Sequence, residues 1–117
     1  MRTLVALVVL FALSACATRE NAPRSSAEQH GFEIARTNCS SCHAVGPSGD
    51  STAPEAPPFR RLSEHYRIDD LEEALAEGIN VGHPAMPHFE FPPEDIDALV
   101  SYLESIQDSP GRGSARD

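Results

Sequence analysis

Five consecutive residues, Cys39-Ser40-Ser41-Cys42-His43, place two thiols three positions apart with an imidazole directly after the second. On a helical turn, two such sulfurs share one side and can reach the two vinyl groups of a haem. Each would form a thioether while His43 turns its imidazole to the iron. Two other chemistries use a cysteine pair. A structural zinc site needs four donors, and the chain has no second CxxC to complete one. A thioredoxin-like redox pair needs a βαβ setting, and no segment shows the sustained alternation of a strand. The spacing therefore predicts covalent attachment of one haem c at Cys39 and Cys42, with His43 as an axial ligand.

A second axial ligand would decide what such an iron does. Met86 stands in Gly82-His83-Pro84-Ala85-Met86-Pro87-His88-Phe89, forty-three residues beyond His43. A thioether is a soft ligand that favours ferrous iron, and Met/His ligation raises the reduction potential. Pro84 and Pro87 stiffen the loop, so the sulfur can be held with little reorganisation. Methionine is more often core filler, but Met86 is the only methionine after Met1, and it lies in a loop between prolines. His83 and His88 compete as ligands, although histidine on a polar loop is usually solvated. His30 and His65 fall on helices among charged residues and take no functional role.

The elements that must position these groups read as four helices and no strand. Ser26-Ala27-Glu28-Gln29 is a capping-box pattern opening a helix that runs towards Cys39, with Gly31, Ile34 and Ala35 at helical spacing. A short helix follows Pro57-Pro58, from Phe59 to Tyr66. A third begins at Asp69 or Asp70, presents Ile68, Leu71 and Leu75 on one side, and stops at Gly78. The last opens at Pro93, with Glu94 and Asp95 in its first turn, and carries the stripe Ile96, Leu99, Leu103, Ile106. Between them, residues 44–58 hold four prolines and residues 79–92 hold three. Long irregular loops in a domain of about 80 residues call for a large buried ligand to organise them. Phe59, Leu62, Leu71, Leu75, Phe89 and Leu99 are the expected lining of its pocket.

Composition bounds the rest. The 117 residues carry nine positive side chains, all arginine, against 18 acids, a net charge of −9 at a pI near 4.9. No basic stripe exists to meet phosphates, which argues against nucleic-acid binding. At the N-terminus, Arg2 precedes an unbroken apolar run from Leu4 to Leu13. Ten helical residues span only ~15 Å, about half of a bilayer's hydrocarbon core, which is the layout of a secretory signal. Leu13-Ser14-Ala15-Cys16 resembles the lipobox of bacterial lipoproteins. That resemblance implies removal of residues 1–15, lipidation of Cys16, and a periplasmic protein held to an inner or outer membrane; ordinary cleavage after Ala17 is the alternative. Loss of Arg2 would leave eight arginines against 18 acids, a net charge of −10. Residues 16–25 then read as a polar tether, 26–107 as the folded domain and 108–117 as a polar tail.

The CxxCH of residues 39–43 and Met86-Pro87-His88-Phe89, which matches an MPxF pattern, resemble the class I cytochromes c over about residues 27–106. Gly31-Phe32 before CxxCH and Tyr102 in the last helix fit the N- and C-terminal helices that pack together in that family. The resemblance implies the all-α cytochrome c fold, about four short helices and long loops wrapped around one haem. It also implies that a proline carbonyl accepts the proximal imidazole's N–H. Pro47 is the first choice for that role, with Pro54, Pro57 and Pro58 as rivals. The function implied is one-electron transfer by a monomer in a respiratory chain. A fixed subunit of a dehydrogenase or oxidase, or a haem peroxidase with a labile methionine, are the alternatives. Familiar members present lysines around the haem edge, whereas this chain has none, so its redox partners should offer a basic docking surface. Glu72, Glu73 and Glu77 form a candidate patch for them, or a merely solvated face.

Overall fold

The computed structural model describes residues 24–78 and 85–108, and within them it contains helices and no strand. Residues 1–23, with the predicted signal and Cys16, lie outside the described residues, as do His83 and 109–117. The elements are α1 (Ser26–Asn38), a 3₁₀ helix (Phe59–Glu64), α2 (Asp70–Glu77) and α3 (Pro93–Ser105). None of the described helices is long and apolar enough to cross a membrane.

Helix α1 starts one residue after its cap. Ser25, not Ser26, closes the capping box: its hydroxyl accepts from the Glu28 amide at 3.2 Å, and Glu28 accepts from the Ser25 amide at 2.8 Å. Two adjacent serines, followed three residues later by Glu28 and Gln29, offer the same pattern in two registers, and the carboxylate register is used. Arg24 is seated on the domain as well, its guanidinium 4.4 Å from the Phe32 ring centre and 5.3 Å from that of Tyr102.

Helices α1 and α3 cross at Gly31. A methyl group there would run into the Ala98 carbonyl oxygen and lie 2.7 Å from Tyr102 Cβ. The missing side chain therefore lets the two backbones touch. Around this point Ile34, Ala35, Ile96, Leu99, Tyr102 and Leu103 are buried, and Phe32 packs on Tyr102 with ring centres 5.4 Å apart. At the rim, His30 Nε2 meets Asp95 Oδ1 at 2.6 Å. The face of α3 that meets α1 carries Ala98 and Tyr102, while Leu99 and Leu103 of the stripe read from the sequence turn towards a cavity, with Ile106 half-buried at the C-cap.

The other two helices are shorter and less covered. The stretch after Pro58 winds as a 3₁₀ helix, burying Phe59 and Leu62. Gln107 fixes it to the end of α3: its amide nitrogen donates to the Phe59 and Leu103 carbonyls at 2.8 and 2.7 Å, and its oxygen accepts from the Ser63 amide at 2.9 Å. Helix α2 is entered through tight turns rather than a side-chain cap. Asp69 makes no capping bond, and the amides of Asp70, Leu71 and Glu72 bond to carbonyls three residues back. It ends on Gly78 at φ +67°, the left-handed conformation that glycine adopts without a Cβ penalty.

Candidate functional site

The CxxCH segment continues α1 by one turn. The Cys39 amide bonds to Ala35 O at 2.9 Å, and the amides of Cys42 and His43 both bond to Cys39 O, at 3.2 and 2.9 Å. Both sulfurs and the imidazole therefore ride on a single turn attached to a helix that is packed backbone to backbone against α3. The irregular segment that follows is folded back onto that turn by its own polar groups. Ala44 N donates to Ser51 Oγ at 3.0 Å, Thr52 Oγ1 to Ser41 O at 2.6 Å, Ala53 N to Cys42 O at 3.1 Å and Phe59 N to Ala44 O at 2.9 Å. Tyr102 adds a tie from α3, its hydroxyl donating to Val45 O at 2.6 Å.

This return brings Pro57 beside the imidazole. His43 Nδ1–H donates to the Pro57 carbonyl at 2.8 Å, so Pro57, not Pro47, is the proline that accepts this bond. Sequence distance favours Pro47, but the loop must run out and back before a carbonyl meets the ring. Because a carbonyl can only accept, the bond fixes the tautomer and leaves the lone pair of the neutral ring on Nε2. Phe59 packs beside the imidazole, ring centres 5.0 Å apart. Bonded on one side and packed on another, the ring has its orientation set before any ligand arrives.

Two adjoining cavities open in front of this turn. One of about 350 Å³ is lined by Cys39, Cys42, His43, Phe59, Met86 and Phe89, among others. The second, about 400 Å³, shares Cys39, His43, Phe59, Met86 and Phe89 and extends over Leu62, Leu71, Leu75, Leu99 and Leu103. Every residue expected to line the pocket does so. Phe91, Leu103, Tyr66, His65 and Glu55 join them beyond that expectation. Leu103 follows Leu99 by four on α3, and Phe91 follows Phe89 by two and stacks on it at 5.5 Å, so spacing could have found both. Among the described residues Glu55 is the one carboxylate on either wall, and no arginine lines either of them.

The donor set fits a haem. The walls are mainly aliphatic and aromatic, suiting a flat apolar macrocycle, and two sulfurs, one imidazole and one thioether share them. Burial, with Cys42 close by, pushes the Cys39 thiol up to about 11, so before attachment it is a neutral sulfur at ordinary pH. Of the candidate distal ligands, Met86 lines both cavities, whereas His88 lines neither and packs against Gly78. Among the described residues no three His, Cys, Asp or Glu side chains converge as a metal-ion site.

Comparison with known proteins agrees with this geometry. Residues 26–103 match the model of the family described as cytochrome C oxidase, cbb3-type, subunit III. The chain belongs to the class I c-type cytochromes. It is 30% identical over 105 residues to cytochrome c6 of Cyanidium caldarium, a match covering 87% of this chain and 94% of that protein. No solved structure matches it significantly. As a member of this family the chain is an electron-transfer protein that carries one covalently bound haem c and works with redox partners.

Proposed function

We propose that the chain is a lipid-anchored, periplasmic one-electron carrier of a respiratory pathway, its haem attached through Cys39 and Cys42 and its iron held by His43 and Met86. The haem, when bound, supplies a one-electron ferric/ferrous couple. The protein's part is orientation and exclusion of water. The Pro57 carbonyl aims the His43 lone pair, the leucines of α2, α3 and the 3₁₀ helix exclude water, and Pro87 stiffens the loop that bears the thioether. One observation carries the reading: Met86, from a loop forty-three residues downstream, lines the same two cavities as His43 and Cys39. A thioether paired with an imidazole stabilises ferrous iron, which suits a protein that must accept an electron before passing it on.

The anchor rests on the sequence alone, on the short apolar run that ends at Leu13-Ser14-Ala15-Cys16. Lipidation with two or more chains would hold the protein at a membrane without a spanning helix. A redox partner with a basic docking surface fits the charge, because Asp69, Asp70, Glu72, Glu73 and Glu77 are exposed on and before α2 and the chain has no lysine.

Voltammetry of the purified protein should give a single reversible one-electron wave. In cell fractions the wild type should sediment with membranes and Cys16→Ser should not. Absence of a wave contradicts the carrier role; a wild type found in the soluble fraction contradicts the anchor. The description of the matched family supports a second reading, a fixed subunit of an oxidase. Stoichiometric co-purification with larger redox subunits in mild detergent would favour it over the mobile carrier.

A further inference from the structure

Gly78 does two things at once. It ends α2 in the left-handed conformation at φ +67°, and it lies directly beneath the imidazole of His88. A Cβ on Gly78 would collide with His88 Cε1 and lie 2.6 Å from its Nε2 and 3.5 Å from its Nδ1. The ring thus occupies the space a side chain would fill. The helix end alone does not require that space to be open. Asparagine also caps helices in the left-handed region, but its Cβ would push the His88 ring off this spot.

The position of His88 in the chain gives the contact its meaning. His88 is separated from Met86 only by Pro87, whose φ is fixed by its ring. Phe89, the next residue, lines both cavities and stacks on Phe91. Residues 86–89 therefore hold on in two directions, with Met86 and Phe89 on the cavity and His88 on the end of α2. His88 is exposed on its other side and has no place on either cavity wall.

We infer that His88 is a positioning residue for Met86, holding the methionine loop against the end of α2 through a seat left open by Gly78. The inference rests on the proposed ligand role of Met86. The role of His88 is mechanical, because a loop pinned two residues from the sulfur has fewer conformations in which the sulfur is withdrawn. The apparent affinity of an outside ligand that competes with Met86 scales with the population of those withdrawn conformations.

The test is the titration of the haem-loaded ferric protein with imidazole, with the reduction midpoint measured beside it. His88→Ala should bind imidazole about tenfold more tightly than wild type, matching an about tenfold larger withdrawn population, and should have a lower midpoint. His88→Phe, which keeps a flat ring on the seat, should stay within about twofold of wild type in the same titration. Gly78→Asn, which tolerates the left-handed backbone but adds a Cβ, should tighten imidazole binding in the wild-type background and have little effect in His88→Ala. An unchanged imidazole affinity in His88→Ala overturns the inference, as does a Gly78→Asn effect of equal size with and without the ring. If the wild type lacks a sulfur-to-iron absorption band, the ligand role of Met86 fails and the seat fails with it. If the band is present and His88→Ala behaves as wild type, only the seat fails.

Discussion

At the α1–α3 crossing, backbone meets backbone. Gly31 admits Ala98 and Tyr102, and Ala35 and Tyr102 are 0% exposed. On the cavity side, Leu71, Leu75, Phe89 and Phe91 are only half-buried, and with Leu62, Leu99 and Leu103 they face a space of about 400 Å³. The first region is complete as protein. The second has walls whose apolar faces have not found each other, which is costly unless something apolar fills the gap. The contrast separates roles: the crossing holds the CxxCH turn in place, and the cavity side is shaped around a cofactor. Substitutions at the crossing should therefore change how much protein folds. Substitutions at the cavity should change what the folded protein does with an electron.

The sharpest way to break that division is Gly31→Ala. The added methyl group would meet a backbone carbonyl that cannot step aside, so the expected loss is about 3 kcal/mol or more, at the upper end for overpacking. Denaturant unfolding of the haem-loaded protein would measure it, and the reduction midpoint of the molecules that remain folded should not move. A loss below about 1 kcal/mol would mean that the helices can part cheaply at this point.

A smaller effect is expected at Tyr102. Its phenol is buried and bonded to Val45 O, so Tyr102→Phe should cost about 1 kcal/mol near neutral pH. Burial raises the Tyr102 pKa above its ordinary 10.0, with Arg24 pulling weakly the other way. The unfolded chain therefore gives up this proton first as the medium becomes alkaline. The phenol's contribution is intact below pH 10.0 and is lost as pH rises towards the higher folded value. Unfolding curves from about pH 8 upward should fall more steeply for wild type than for Tyr102→Phe. Equal slopes would place the alkaline sensitivity elsewhere.

Much of this arrangement is legible in the sequence, and the parts that are not share a cause. Pro93, Gly78 and the stripe from Ile96 to Leu103 mark helix limits and faces because capping, termination and periodicity are local properties. The cluster of Cys39, Cys42 and His43 is local as well, contained within one turn. The capping register at Ser25 is ambiguous in sequence because Ser26 repeats the pattern. Choosing Pro57 over Pro47 requires the path of residues 44–58, set by Thr52 and Ala53 bonding back to the CxxCH turn and by Ser51 bonding to Ala44 just after it. No periodicity encodes such a path. Gln107 gives no signal either, since two of its three bonds reach segments more than forty residues away and the third reaches the end of α3. The seat of His88 on Gly78 belongs to the same class: the glycine is legible as a helix stop, but the ring that needs its empty side is known only once the loop has returned.

The central claim is that one iron is held between His43 and Met86, and the most direct measurement is optical and electrochemical. Haem-loaded wild type and Met86→Ala should be compared by absorption of the ferric form and by voltammetry. The account predicts a sulfur-to-iron band in the wild type that vanishes in Met86→Ala, together with a fall in the reduction midpoint. An identical spectrum and midpoint in the two proteins would contradict it.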